Sequence, residues 1–573
     1  MKKNFFVKLF GLTILMFTLL FTGASAETYE GIGYGYDKDG IVLDVEIKDS
    51  KITDVKVKRA KESEFATPAI QEIAKKVVAT QSLDVDGISG ASLTSEGTKE
   101  AIEEAVKKSG ITLTTVTVQN VRTVEFPKET DVVVIGAGGA GLTSAIAAHE
   151  KGAKVILIEK TELLGGNTNY ATAGLNAAGT KIQEKLGVKD SPELFYEDTM
   201  KGGKNKNNKE LVRVLVNNSS AIVDWLIERG ADLSELTSTG GQSAKRTHRP
   251  TGGSAVGPNI VAALSKTAEN EKIDIRKGTK AIALVKTKNR IVGVKVREID
   301  GKEYTIKAKA VIVATGGFGA NAKMVEKYNP KLKGFGSTNS PAIVGDGIIM
   351  VEKVGGALVD MSEIQTHPTV VYNKTNMITE AVRGEGAILV NKDGKRFIDE
   401  LETRDVVSKA ILSQKGKSAF LIFDEDIRTK LKAADGYVKK GFAVEGTLEE
   451  IAAKIGTDAK TLEATLNKYN EAVKNKVDSE FNKKTLPKEL TGTKYYAIEV
   501  SPAVHHTMGG VRINTNAEVL GKNGRPIKGL YAAGEVTGGI HGANRIGGNA
   551  VADITIFGKI AGENAAIYSK SVK

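Results

Sequence analysis

The sequence predicts an α/β protein: a Rossmann-type nucleotide-binding domain, interrupted by an inserted α+β cap and preceded by a small α+β domain. Three observations carry this expectation. A glycine turn, Gly136-Ala137-Gly138-Gly139-Ala140-Gly141, lies between an apolar strand and a helix. A short motif, Asp86-Gly87-Ile88-Ser89-Gly90-Ala91-Ser92, stands in a separate N-terminal stretch. Glycine-rich strand ends return only after residue 506, beyond a segment rich in lysine and glutamate.

The 573 residues exceed one domain; at about 150 residues each they suggest three or four units. With 41% hydrophobic and 26% charged residues the chain is globular, not disordered. The net charge of +12 is spread over amphipathic helices, with no basic block interleaved with aromatics. It reads as a solvated surface favouring anionic ligands, and no nucleic-acid partner is expected. Cysteine is absent, which excludes a thiolate-held iron–sulfur cluster, a CxxCH haem and a lipobox. No metal site is expected.

Residues 1–26 read as an export signal. Lys2 and Lys3 precede an apolar run at 9–21, and Ala24-Ser25-Ala26 fits a cleavage site. The run is short for a span of about 20 residues, so cleavage and an extracytoplasmic location are expected over a membrane anchor.

Residues 27–115 form the first unit. Alternating strands at 42–47 and 52–57 flank an Asp49-Ser50-Lys51 turn. Helices are expected at 68–80 and 95–108, with the Asp86 motif between them. Residues 116–130, with Pro127, read as a linker. Val132-Val133-Val134-Ile135 is uniformly apolar, as in a buried parallel strand. The glycine turn, a helix at 142–151 and a strand at 154–158 ending at Glu159 complete a βαβ unit. A meander follows at 283–287, 291–297 and 303–308, with Asp300-Gly301 as a hairpin turn. Residues 310–315 are a further buried strand running into Gly316-Gly317. Residues 131–361 thus read as the first part of the nucleotide domain. The cap spans 362–505, with a hairpin at 389–397 and helices at 448–455 and 458–474. Residues 506–573 complete the nucleotide domain.

The glycine turn has a specific chemistry. Gly136 permits the tight turn, Gly138 admits a pyrophosphate, and Gly141 lets helix and strand touch. The helix N-terminus offers free N–H groups to phosphate, and Glu159 would accept from ribose hydroxyls. Leu164-Gly165-Gly166-Asn167-Thr168 extends the site. Gly317, Gly534-Glu535 and Gly547-Gly548-Asn549-Ala550 supply its second half. This split arrangement suits FAD, whereas an NAD site does not need it.

The Asp86–Ser92 segment resembles the DGxSGA(S/T) attachment motif of the FMN-binding domain family. The resemblance implies FMN joined covalently through its phosphate to Ser92 by a flavin transferase, with Thr94 and Ser95 as neighbouring alternatives. From Asp131 onward the chain resembles the flavoprotein fumarate reductases of the soluble flavocytochrome type. The resemblance rests on Gln365-Thr366-His367-Pro368, Ile378-Thr379-Glu380-Ala381-Val382-Arg383-Gly384, Thr403-Arg404-Asp405, His505-His506-Thr507-Met508-Gly509-Gly510 and His541-Gly542-Ala543-Asn544-Arg545-Ile546-Gly547-Gly548-Asn549. Four of the six histidines fall in these motifs; His149 and His248 read as structural. A small dianion such as fumarate needs two sets of charge-assisted donors, and arginine suits carboxylates.

The resemblance implies the following roles. His505 and Arg545 hold one carboxylate. His367, Thr379 and Glu380 hold and twist the other. Reduced FAD gives hydride to one alkene carbon, and Arg404 gives a proton to the other, recharged through Glu380 and Arg383. A purely electrostatic clamp is the alternative role for Arg404. Met377 either packs beside flavin and substrate or fills the core. His506 joins Gly136, Gly138, Gly141, Glu159, Asn167, Thr168, Gly317, Glu535, Asn549 and Ala550 at the cofactor. Asn167 stands where membrane-complex relatives carry a flavin-linked histidine, so non-covalent FAD is expected. The multihaem domain of the flavocytochromes is replaced by the FMN unit, which would receive electrons from a membrane-linked donor. The expected function is an exported fumarate reductase acting on fumarate and succinate. The alternatives are a reductase of another α,β-unsaturated acid of the urocanate or acrylate type, or an electron-transfer subunit without turnover.

Overall fold

The computed structural model describes residues 26–35, 40–62, 66–85, 87–88, 91–115, 127–288, 290–374 and 376–572. The expected export signal up to residue 25, the linker residues 116–126, and Asp86, Ser89 and Gly90 lie outside the described residues. No described helix is long and apolar enough to cross a membrane.

The N-terminal unit is a three-stranded antiparallel sheet, Glu27–Gly33, Ile41–Lys48 and Lys51–Arg59, covered by helices Thr67–Thr80 and Ser92–Ser109. Leu43, Val45, Ile70, Ile73 and Ile102 are fully buried between sheet and helices. The first strand has no place in the sequence reading, because Gly31 and Gly33 interrupt the apolar alternation. Both are required by close approach: a Cβ would stand 1.8 Å from the Ala101 carbonyl oxygen at Gly31, and 1.9 Å from that of Gly97 at Gly33. The second helix begins at Ser92, not 95, so the attachment motif runs straight into its first turn.

The large unit is built on an eight-stranded sheet. Its path runs Thr279–Lys286, Ile291–Glu298, Glu303–Val313, Glu129–Ile135, Val155–Ile158, Asp274–Arg276. The third meander strand and the strand expected at 310–315 are one continuous element. Its first half pairs antiparallel with Ile291–Glu298, and its second half lies parallel to Glu129–Ile135 and Pro526–Ala532. The central parallel segments 132–135, 155–158 and 310–313 are apolar throughout because both faces are covered. The long C-terminal helix Asn549–Ser571 packs along Gly139–Glu150, so the end of the chain closes the same core that the βαβ unit opens.

The cap has its own antiparallel sheet, ordered Ile364–Val371, Tyr495–Thr507, Ala419–Asp424, Ile388–Val390, with Val444–Gly446 on the second strand. Its hydrophobic core runs from Val371 to Val500, inside the expected 362–505. The outer ends of the two long strands belong to the large unit, where Ile364 and Val504 join the main core. One continuous sheet therefore carries residues from the cap into the nucleotide domain.

A buried charge network braces the cap. Arg396 Nε lies 2.9 Å from Glu400 Oε1, Lys483 Nζ 2.8 Å from Glu400 Oε2, and Arg396 Nη2 3.0 Å from Asp478 Oδ2. Breaking a buried pair on one side costs about 3–5 kcal/mol, because the remaining charge stays desolvated. Glu400→Ala is therefore expected to move the cap's urea transition well below that of the nucleotide unit, measured by hydrogen exchange of each unit across a urea series.

Candidate functional site

Both halves of the site sit at the carboxyl ends of the parallel strands, where open α/β sheets leave a crevice. Gly136 adopts φ +98°, and a Cβ there would approach the Ala314 carbonyl oxygen to 2.6 Å. At Gly141 a Cβ would stand 1.7 Å from the Gly136 oxygen, which is the helix–strand contact the motif predicts. Gly138 differs: its nearest obstacle is the Gly165 oxygen at 3.6 Å. The protein itself has room for a side chain there; the space belongs to the cleft. Glu159 accepts from the Ala137 amide at 2.8 Å and from Thr161 N and Oγ1 at 2.9 Å, leaving lone-pair capacity for a hydroxyl. The cleft encloses about 1030 Å³ and is lined by Gly136, Gly138, Glu159, Asn167, Thr168 and Glu535. At its rim Lys160 pairs with Asp346 at 2.6 Å, a contact no sequence signal announces.

A second cavity of about 780 Å³ shares Asn167, Thr168 and Glu535 with the first and adds His506 and Ala550. Asn167 is locked in place: it donates to Asn339 Oδ1 at 2.6 Å and accepts from the Ser340 amide at 2.9 Å. Glu535 accepts from the Thr507 amide at 3.0 Å. Desolvation still pushes its carboxyl up, against that hydrogen bond and the pull of Asn167 and Arg545. Both ring nitrogens of buried His506 lack a partner. An unpartnered imidazole, one donor and one acceptor, on a wall between a glycine cradle and a cluster of cations fits the polar edge of a flavin. Two expected contacts sit one layer back. A Cβ on Gly317 would strike Thr507 Oγ1 at 2.0 Å, so Gly317 packs behind Thr507 while Gly316 lines the cleft. Asn549 accepts from Asn176 Nδ2 at 2.7 Å and donates to Thr199 Oγ1 at 3.2 Å, bracing the helix start instead of facing the cavity.

Strand register assembles the other wall. His367 pairs with Ala503, and a register shift two residues further along leaves His505 unpaired on the neighbouring strand. Their rings meet edge-on with centroids 5.3 Å apart. Arg404 opens the helix Arg404–Leu412, where the dipole disfavours a cation. Glu380 Oε2 offsets this from 3.4 Å. Arg545 completes the set, and Arg404, His505, Arg545 and Met377 line one cavity. Gln365, a motif residue without an assigned role, spaces the two arginines. Its Oε1 accepts from Arg404 Nη1 at 3.2 Å and from Arg545 Nη2 at 3.1 Å. Thr338, absent from the sequence reading, holds His505 Nδ1 at 2.7 Å and also faces the cavity. Its surroundings, Ser337-Thr338-Asn339-Ser340-Pro341, signal only a turn. Thr379 is fixed through its amide, which donates to the Tyr437 hydroxyl at 3.0 Å.

The charges define protonation states. Desolvation, Arg404, His505 and Arg383 hold His367 well below the usual histidine value. Desolvation, Arg404 and Arg545 do the same to His505. Desolvation raises Glu380, but Arg404, Arg383 and the Gly240 amide outweigh it and keep the carboxyl ionised. Arg545 is pushed down to about 9, by desolvation first and Arg404 second, and stays charged at neutral pH. The cavity is thus an anion site with neutral imidazole donors.

The FAD binding domain family matches residues 131–551, and the FMN-binding domain family matches residues 35–107. The fumarate reductase (cytochrome) of Shewanella frigidimarina is 51% identical over 442 residues, 77% of each chain. The chain belongs to the flavoprotein fumarate reductase family. The NADH:fumarate oxidoreductase of Klebsiella pneumoniae is 45% identical over 534 residues, which cover 92% of this chain and 57% of that protein. Among solved structures, the open conformation of a flavocytochrome c3 fumarate reductase matches with a TM-score of 0.69 at 44% identity, over 77% of this chain and 78% of that one. The chain is accordingly an FAD-dependent oxidoreductase of the carbon–carbon double-bond class, with FAD and FMN as cofactors.

In the FMN domain the two alternatives to Ser92 are already committed. Thr94 is buried and donates to Glu62 Oε2 at 2.5 Å. Ser95 is buried, accepts from the Ile88 amide at 2.9 Å and donates to the Ala91 oxygen at 2.9 Å. Neither hydroxyl is free for a phosphate. Ser92 is the first residue of the helix.

Outside the site, His248 is buried, its Nε2 lies 2.8 Å from Thr180 Oγ1, and desolvation pushes it down to about 4. His367 and His506 are likewise kept neutral. A histidine whose folded pKa is depressed binds no proton where the unfolded chain does, so its contribution is complete above about pH 6.5 and is lost on acidification. The urea midpoint is expected to fall from pH 7 towards pH 4. The fall should be shallower in His248→Gln, read from urea titrations at half-unit pH steps.

Proposed function

We propose that the protein is an exported fumarate reductase, and that the convergence of His505, Arg404 and Arg545 on one cavity beside Glu535 and His506, with buried His367 packed against His505, carries this reading. FAD, when bound, supplies the hydride. His505 and Arg545 grip one carboxylate from the nucleotide side. His367, Thr379 and the segment at Glu380 hold the other end from the cap side and turn it out of conjugation. Donors that strengthen as negative charge develops favour the transition state over the ground state. Arg404 protonates the second alkene carbon and regains its proton along Glu380 and Arg383; Arg383 Nη2 lies 4.0 Å from Glu380 Oε2.

The two opposed donor sets support a dicarboxylate over a urocanate- or acrylate-type acid, which would leave one set unpaired in a desolvated cavity. Electrons enter through the FMN domain, from a membrane-linked donor outside the cytoplasm, after a flavin transferase has loaded Ser92.

Arg404→Ala is expected to cut fumarate turnover by about 10²–10⁴-fold with both flavins retained. Stopped-flow oxidation of the reduced protein should be faster with fumarate than with urocanate or acrylate. Intact-mass analysis should find FMN on the wild type and none on Ser92→Ala. Undiminished turnover in Arg404→Ala, or preference for a monocarboxylate, overturns the reading.

A further inference from the structure

Glu380 and the helix that opens with Arg404 belong to the cap, yet each touches the nucleotide unit at a defined place. The Gly240 amide donates to Glu380 Oε1 at 3.2 Å, on the side of the carboxylate opposite Arg404. Gly240 sits in a turn tied to the carboxylate grip: Thr239 Oγ1 donates to the Gly547 oxygen at 2.9 Å, two residues beyond Arg545. The second contact comes from Lys204, whose Nζ lies 2.5 Å from Asp405 Oδ2. Asp405 follows Arg404 in the first turn of its helix, and its other oxygen accepts from Thr403 Oγ1 at 2.7 Å. A third pair, Lys206 with Glu363 at 2.7 Å, reaches the root of the strand that carries His367.

The turn bearing these lysines is strained. Lys204 and Asn205 both adopt left-handed φ, +56° and +57°, which ordinary side chains avoid. Such residues persist only where their surroundings over-determine them, and they cluster at functional sites. Here the Asn205 amide donates to the Met200 oxygen at 2.8 Å, Asn207 Nδ2 to the Ile540 oxygen at 2.9 Å, and the Ala543 amide to the Gly203 oxygen at 3.0 Å. The strained turn is thereby clamped to the chain that leads into Arg545.

We infer that the nucleotide unit completes the proton-delivery limb across the domain boundary: the Gly240 amide positions Glu380, and the Lys204 ammonium positions the helix that carries Arg404. This rests on the reading of Arg404 as the acid. The two units have separate hydrophobic cores, so these contacts exist only when the cap is seated. Seating then aligns the acid and its relay with the carboxylate grip in one event. Lys204 and Gly240 are positioning residues, since neither lines the substrate cavity.

The test uses the full-length holoenzyme. Hydrogen exchange of residues 404–412 is measured in the oxidised protein with and without saturating fumarate, where no electrons are available for turnover. Steady-state kinetics are measured in parallel. Fumarate should slow exchange in this helix in the wild type, and less so in Lys204→Gly, which removes the charge while relieving the strained turn. An exposed ion pair allows a two- to five-fold loss of kcat. Asp405→Asn should cause the same loss, and the double variant no further loss. Lys204→Arg should restore both readouts. Lys181→Ala, which breaks an exposed pair with Asp224 inside the nucleotide unit, should change neither. Gly240→Ala places a Cβ 3.0 Å from Glu380 Oε1 and should lower kcat with little effect on helix exchange. Unchanged exchange and kcat in Lys204→Gly, or additive losses in the double variant, overturn the inference. If Arg404→Ala keeps its turnover while Lys204→Gly still loosens the helix, the acid reading fails and the latch stands.

Discussion

Two arginines, Arg404 and Arg545, share one poorly solvated cavity, with Arg383 buried beyond Glu380, and their mutual repulsion shapes what surrounds them. Desolvation first, and then the nearby arginines, hold His367 and His505 neutral, so that they donate through N–H without adding charge. Glu380 supplies the single nearby carboxylate among the described groups that counter Arg404, and a single amide oxygen, that of Gln365, separates Arg404 from Arg545. Such a concentration of like charge is costly in an empty site. A dianion relieves it, which is why the same set that destabilises the folded protein locally gives the cavity its preference for two carboxylates.

That cluster depends on a sheet shared between two units. Strands Ile364–Val371 and Tyr495–Thr507 carry histidines at the ends that leave the cap core and join the nucleotide core. Their antiparallel register, with its shift between Gln365 and Thr366, brings His367 beside His505, and His505 and His506 both line the second cavity. The cofactor side relies in turn on glycines that yield space. Gly136 and Gly141 yield it to the protein's own backbone and Gly138 to the cleft, so a single motif serves both folding and binding.

Much of this was legible from residue order. The βαβ unit, the inserted cap and the return of the chain at residue 506 follow from apolar runs and glycine turns, whose periodicity is local. The chemical residues were legible because histidine is scarce and its few copies cluster in motifs. Other features left no local trace. Gly31 and Gly33 hid the first strand because a helix far along the chain takes the place of their side chains. Gly317 and Asn549 resemble cofactor contacts in sequence, yet Thr507 and Asn176 stand against them, and only packing across the chain reveals that. Thr338, Gln365 and Gly240 are ordinary residues in ordinary turns until folding places them beside an imidazole, two guanidiniums and a carboxylate.

By itself, then, the order of residues determined the architecture, the two flavins and the candidate site residues. These are properties of local pattern and of side-chain chemistry, which need no partner to be read. The tertiary structure alone decided which of those side chains share a cavity, which are held neutral or charged, and which backbone amide or lysine of one unit meets Glu380 and Asp405 of the other. Those outcomes depend on distance and desolvation, and both are set only when segments remote in sequence are brought into contact.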